Sequence, residues 1–317
     1  MSDNNGREWQ LLEKIALASV EEQKKARRWS IFFKLLTFAY LVVILVMVSS
    51  PAKHGGSSVG EASAEHLAIV ELKGEIADST DANADDLIGS LTDAFDAKNS
   101  KAVVLRINSP GGSPVQSAYV YDAIKQLRVK YPNKKLYAVI TDIGASGAYY
   151  IASAADQIYV SPASLVGSIG VIMQGFGLQE LTKKLGVEDR TMTAGQHKAI
   201  MNPFLPVSAE EKAHVQKMLD TIHQQFITAV KQGRGQRLKE DPQIFSGLFW
   251  TGQQAVELGL ADGFGSVKTI NKLIATDEQV DYTKSKNPMD NLIRKLGVTM
   301  GETIAAKLSL SDELKVR

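Results

Sequence analysis

The sequence predicts an α/β domain tethered behind one membrane-spanning helix, and three observations carry that expectation. From His66 onward, short β-branched apolar runs alternate with stretches of helical periodicity, the pattern of βα units that build a parallel sheet covered by helices. Ahead of them, Ile31 to Val48 reads IFFKLLTFAYLVVILVMV, eighteen positions with a single charge, close to the roughly 20 residues that span a bilayer's hydrocarbon core. Between the two lies a Gly- and Ser-rich stretch with the composition of a flexible linker.

Taken in order, the elements read as follows. Ala68-Ile69-Val70-Glu71-Leu72 is a first strand, Asp85 to Lys98 an amphipathic helix, and Lys101 to Ile107 a second strand. A second helix runs from Ser113 to Tyr131, with Ser113 at the N-cap and Pro114 at the first helical position, where its missing N–H costs nothing. Lys135 to Thr141 is a third strand, followed by a turn at Ser146, a helix over Ala148 to Ala155 and a strand over Gln157 to Val160. Ala209 to Gln232 is a long amphipathic helix, and Trp250 to Asp262 a short one ended by Gly259. Met289 to Leu296 and Glu302 to Leu308 are weak helices in a polar background. The chain thus divides into a cytoplasmic tail (1–30), the membrane helix (31–48), a linker (49–65), the α/β domain (66–280) and a C-terminal tail or oligomer arm (281–317).

Lys34 lies one turn into the apolar run, where its stem can carry the ammonium back to the interface. Lys24, Lys25, Arg27, Arg28 and Trp29 stand just before the run, whereas Ser49 to His66 offers only Lys53 against Glu61 and Glu65. The positive-inside rule then places the N-terminus in the cytoplasm and everything beyond residue 50 outside it. A cleaved signal peptide is the rival, but about thirty residues precede the run and Ser-Ser-Pro-Ala is a poor cleavage site.

A formal net charge of +1 supplies no field for nucleic acid, and no basic stripe interleaved with aromatics is present. The chain has no cysteine, so disulfides, thiolate metal sites and a Cys nucleophile are excluded. Its five histidines, His54, His66, His197, His214 and His223, show no ligand spacing, and no metal or other cofactor is expected.

The chemistry-bearing residues cluster around one serine. Ser146 sits in Asp142-Ile143-Gly144-Ala145-Ser146-Gly147-Ala148-Tyr149, among residues too small to shield it. A serine hydroxyl attacks only when something nearby takes its proton, and Lys198, in Thr193-Ala194-Gly195-Gln196-His197-Lys198, is the candidate base. A lysine becomes a base only if burial brings its pKa from about 10.4 to near 7 or 8. Lysines are ordinarily solvated surface amines, but Ala199, Ile200, Met201, Pro203 and Phe204 favour partial burial here. Ser168, in Val166-Gly167-Ser168-Ile169-Gly170-Val171, is placed to hold the lysine. The turn Asn108-Ser109-Pro110-Gly111-Gly112-Ser113 leaves backbone amides uncovered, and the N–H groups of Gly112 and Gly147 are the candidate oxyanion donors. A phosphate-cradling turn or a mere tight turn is the alternative, yet neither GxxxxGK[ST] nor GxGxxG occurs. His197 and Asp142 offer a Ser-His-Asp alternative. Neighbouring residues on an extended segment point apart, so His197 and Lys198 do not both face Ser146.

With these motifs in this order, the stretch from about His66 to Ser266 resembles the signal peptide peptidase A family of membrane-anchored bacterial serine proteases, whose fold is shared with the Clp protease and crotonase superfamily. The resemblance rests on the Asn108 to Gly112 turn, Gly144 to Ala148, Val166 to Gly170, Gly195-x-x-Lys198, and Thr251 to Ala255 through Gly259 to Asp262. It implies a Clp/crotonase-like domain of repeated ββα units, with Ser146 as the acylated nucleophile, Lys198 as the general base and Ser168 holding that lysine. It also implies a ring-shaped homo-oligomer of the single-length kind, in which serine and lysine of one site come from neighbouring subunits. The implied substrates are hydrophobic signal peptides left in the bacterial inner membrane. Pro114 and the Gln196-His197 pair depart slightly from the commonest pattern, which touches specificity rather than reaction type. A related inner-membrane endoprotease with other protein substrates, a non-catalytic membrane scaffold and a crotonase-like acyl-CoA enzyme are the competing readings.

Overall fold

The computed structural model describes residues 24–25, 27–42 and 64–284. The described residues fall into two units, one holding residues 24–25 and 27–42 and the other residues 64–284. Within the first, residues 27–42 form a helix, α1. Among the described residues no helix is long and apolar enough to cross a membrane. The predicted span Ile31 to Val48 continues past residue 42, so its last six positions lie outside the described residues, as do most of the linker and the two C-terminal helices.

The second unit is a mixed α/β domain around an eight-stranded sheet. Its elements are β1 (His66–Lys73), α2 (Ala84–Asp96), β2 (Ser100–Ser109), α3 (Pro114–Lys130), β3 (Lys135–Ala145), α4 (Gly147–Ala152), β4 (Gln157–Val160), β5 (Leu165–Gly167), α5 (Gln179–Lys184), α6 (Ala209–Arg234), β6 (Phe249–Thr251), α7 (Gly252–Glu257), β7 (Gly263–Phe264), α8 (Val267–Ile274) and β8 (Gln279–Asp281). The sheet runs β6-β5-β3-β2-β1-β8, with β4 pairing β3 and β7 pairing β4. Every pairing is parallel except β5 with β6.

Parallel strands buried on both faces need apolar residues at consecutive positions, and Val103-Val104-Leu105 in β2 supplies them. One set of side chains packs into the main core with Leu87, Leu91, Ala94 and Phe95 of α2 and Val120, Ile124 and Leu127 of α3. The alternate set, including Leu67, Val104, Tyr137 and Val139, meets Ile270 of α8 in a smaller core. The α2 stripe follows the i, i+4, i+7, i+8 spacing of one helix face. Its start is fixed by Asn83, whose side chain accepts from the Asp86 N–H, and Ser113 caps α3 with Pro114 just inside it.

Several boundaries differ from the sequence reading: β3 runs on to Ala145 instead of ending at Thr141, and α4 stops at Ala152 instead of Ala155. Trp250 and Thr251 belong to β6, and the helix begins at Gly252, where Thr251 and Gln254 close a capping box. The strand forms because Trp250 meets Val166 across a pairing too distant in sequence for local periodicity to register. The C-terminal tail expected from residue 281 begins as part of the domain: β8 pairs with β1, the Tyr282 N–H donates to Ile69 O at 2.8 Å, and the Lys284 N–H donates to Ser90 Oγ at 3.0 Å.

Candidate active site

The site forms where the parallel strands end, the position at which ligands bind open α/β sheets. β3 runs directly into Ser146, which caps α4 without using its own hydroxyl. The Ser146 backbone sits at φ 52° and ψ −127°, a left-handed conformation that costs a non-glycine residue about 1–3 kcal/mol and persists only where its surroundings impose it. Two contacts impose it. The Ser146 N–H donates to Gly167 O at 2.8 Å, and Gly111 packs so closely against the turn that a Cβ there would lie 2.7 Å from Ala145 O, Gly147 N and Ser146 Cβ.

Ser168 follows Gly167 and has the same handedness, φ 50°, with its N–H donating to Leu248 O at 2.8 Å. Two of the four non-glycine residues with positive φ among the described residues therefore lie one peptide link apart through the Ser146–Gly167 hydrogen bond. Both line one cavity of about 1010 Å³. Its other walls include Val115, Tyr119, Tyr150, Ile172, Phe226 and Phe249. Burial, aided by the Asp122 charge, pushes the Tyr150 phenol up, so it stays neutral.

Gly112 and Gly147 also line this cavity. Gly147 opens α4, so its N–H has no intrahelical acceptor. An isolated parallel bridge joins Gly112 to Ile76: the Ile76 N–H donates to Gly111 O at 2.9 Å and the Ser113 N–H to Ile76 O at 2.8 Å. That bridge leaves the Gly112 N–H outside it. A Cβ on Gly147 would lie 3.4 Å from Gly112 N, so the two amides are near neighbours beside the serine. Ile76 escaped the sequence reading because one apolar residue after Gly74 carries no period.

The remaining candidates lie elsewhere in this chain. Lys198 is exposed and does not line the cavity, which corrects the partial burial expected from its apolar neighbours. No residue from Val171 to Ser208 is buried; the segment has no second layer within the chain to pack on. His197 is exposed too, with Nδ1 4.0 Å from Glu211 Oε1, while Asp142 accepts from Asn108 Nδ2 at 2.7 Å. The Ser-His-Asp alternative is therefore not assembled here, and Asp142 ties the ends of β2 and β3 together.

The sequence profile of Peptidase family S49 matches residues 128–281, a span holding Ser146, Ser168 and Lys198. The chain is 32% identical over 256 residues to "Putative protease slr0021" of Synechocystis sp., covering 78% of this chain and 90% of that protein. The chain belongs to Peptidase family S49. Its S49 kinship extends to "Putative signal peptide peptidase SppA" of Enterococcus faecium, 31% identical over 265 residues, 80% of this chain and 76% of that one. It is also 46% identical over 181 residues, 57% of its length, to a Brucella abortus protein named "Na(+)/H(+) antiporter NhaA", of which the match spans only 24%. As an S49 chain it carries its strained serine turn, Ser168 and the exposed lysine within the matched residues, whereas Gly112 precedes them.

Proposed function

We propose that this S49 chain is a serine endopeptidase that cleaves hydrophobic peptides, signal-peptide remnants among them, with Ser146 as nucleophile and Lys198 as base. One observation carries the reading: a strained serine faces a large apolar cavity beside two neighbouring glycine amides. Strain of this kind keeps a hydroxyl presented at a strand-to-helix turn, and paired amides stabilise charge that develops on the attacked carbonyl oxygen. The parallel sheet with the serine at a strand end suits the Clp/crotonase-like arrangement.

In this mechanism Lys198 Nζ takes the proton from Ser146 Oγ as the oxygen bonds to the scissile carbonyl carbon. The Gly112 and Gly147 N–H groups hold the oxyanion while the C–N bond breaks, and Lys198 returns the proton to the leaving amine. Water, deprotonated by Lys198, then attacks the acyl-enzyme, and Ser146 is released with its proton restored. Ser168 Oγ orients the lysine.

A lysine serves as a base only when taken out of water, and Lys198 is exposed in this chain. The lysine that serves one Ser146 is therefore that of a neighbouring subunit in a ring-shaped homo-oligomer, whose assembly also supplies the missing cover. The segment bearing Lys198 presents Phe176 at 85% and Met192 at 94% exposure, an apolar surface of the kind that marks an interaction site. The chain is anchored in the bacterial inner membrane through residues 31–48, N-terminus cytoplasmic and catalytic domain periplasmic. The exposed apolar side chains of α1, Phe32, Phe33, Leu35, Leu36 and Phe38 among them, favour a lipid surround.

The test uses full-length protein in detergent. A serine-directed phosphonate is expected to label Ser146, located by peptide mapping, and to stop cleavage of a synthetic signal peptide in proportion to labelling. Absence of both labelling and cleavage would leave a non-catalytic scaffold on the same fold.

Gly112→Ala provides a second expected outcome. A Cβ there would stand 2.1 Å from Ile76 O with φ at +151°, so the Gly112 amide must move. Losing one oxyanion donor is expected to lower kcat by about 10²- to 10³-fold, with phosphonate labelling slowed and the Ser146 hydroxyl still present. Unchanged kcat would remove Gly112 from the oxyanion hole.

A further inference from the structure

Among the described residues, one that lines the cavity beside Ser146 carries a charged side chain. The cavity walls are apolar side chains, backbone and hydroxyl or amide groups, except for Glu75, which lines it together with Gly111, Gly112 and Tyr119. Among the described residues the Glu75 carboxylate has no ion-pair partner. Its backbone is nevertheless fixed on both sides. Glu75 O accepts from Thr80 Oγ1 at 2.9 Å, and the next residue, Ile76, is bridged to Gly112, the candidate oxyanion donor.

We infer that Glu75 is a specificity-determining residue that favours substrates bearing a cationic side chain one or two residues from the scissile bond, within an otherwise apolar peptide. The inference rests on the peptidase reading above and deepens it. Position supplies the register: consecutive Cα atoms stand about 3.8 Å apart, so Glu75 begins one residue from the strand segment that abuts the oxyanion amide. A bound extended peptide advances about 3.3 Å per residue, which puts its first or second side chain from the scissile carbonyl within reach of the glutamate. Chemistry supplies the sign. A lone carboxylate rimming an apolar cavity attracts lysine or arginine and repels aspartate or glutamate, because repulsion between like charges is a means of discrimination as strong as attraction between unlike ones.

The experiment uses the full-length protein in detergent and a set of apolar peptides of one sequence, with Lys, Gln or Glu placed in turn at each of the four positions flanking the cleaved bond. The readout is the ratio of kcat/KM for the Lys peptide over its Gln counterpart. Wild type is expected to favour Lys by about three- to tenfold at one position or two adjacent ones, with the ratio shrinking at about 0.5 M salt as screening requires. Glu75→Gln is expected to bring that ratio to about one, and Glu75→Lys to invert it in favour of the Glu peptide. A structural role would alter all peptides alike and leave the ratio in place. Cleavage with no charge preference at any position, or a preference that survives Glu75→Gln, overturns the inference while leaving the peptidase reading standing. Failure of the wild-type protein to cleave any peptide in the set sinks both.

Discussion

Ser146→Ala is expected to lower kcat on a hydrophobic peptide by about 10⁶-fold while leaving the fold untouched, and Lys198→Arg to be comparably inactive. The two halves of the serine prediction come from the same dihedral. Ser146 already carries a Cβ at φ 52°, so alanine meets no steric demand that serine did not, and the hydrogen bond from its N–H to Gly167 O at 2.8 Å is a backbone one. Thermal unfolding and circular dichroism should therefore match wild type. On the proposed mechanism, what disappears is the oxygen that would form the acyl-enzyme, leaving only the rate that binding and the proposed Gly112 and Gly147 donors would supply, about 10³- to 10⁴-fold over water in serine proteases generally. Arginine at 198 keeps a positive charge but cannot give up a proton in the working range, which separates a base from a merely cationic role. Pre-steady-state hydrolysis of the synthetic signal peptide reads both effects. Retention of a tenth or more of wild-type kcat by Ser146→Ala would assign the chemistry to another nucleophile, and an active Lys198→Arg would move the base elsewhere.

Much of this site is written in local pattern. Ser113 and Pro114 announce the start of α3 because capping chemistry is local, and they do cap it. Small residues around Ser146 and the paired glycines at 111 and 112 announce two close backbones, and the structure packs them so tightly that a Cβ on Gly111 would lie 2.7 Å from Ala145 O, Gly147 N and Ser146 Cβ. What escapes is whatever depends on a partner far along the chain. β6 is three residues long and takes its identity from β5, more than eighty positions earlier, so Trp250 looks like the start of the helix that follows it. The bridge from Ile76 to Gly112 escapes for the same reason. Lys198 marks another limit. Its neighbours are apolar, which locally reads as burial, but the segment from Val171 to Ser208 has no layer within the chain to bury against.

Asp262→Asn is expected to be the most destabilising of the conservative substitutions, at about 3–5 kcal/mol, through the cation it strands. Arg234 is 1% exposed. Its Nη1 and Nη2 lie 2.8 and 3.0 Å from the two Asp262 oxygens, and its Nε donates to Gly259 O at 2.8 Å. The same carboxylate accepts from the Ile158 N–H at 2.7 Å and from Arg237 Nη1 at 3.2 Å. One carboxylate thus ties the end of the long helix α6 to the start of β4 and to the turn behind α7. Burial works to raise the Asp262 pKa, but the Arg234 hydrogen bonds and charge, the Ile158 N–H and Arg237 outweigh it, and the net shift is downward from the ordinary 3.8. With the folded value below the unfolded one, the stabilisation is complete above about pH 4 to 5 and drains away as pH falls through the depressed value. Asparagine keeps the shape and loses that charge, leaving the guanidinium buried without a counter-ion. Urea unfolding at fixed protein concentration and pH 7 should show the loss, and the difference between wild type and Asp262→Asn should narrow as pH is lowered below about 4. The double variant Arg234→Met, Asp262→Leu should recover part of it, because apolar packing replaces a buried ion pair better than a lone charge does. If Asp262→Asn unfolds within about 1 kcal/mol of wild type, Arg234 has another source of compensation and the tie between α6 and β4 is not what holds the back of the sheet.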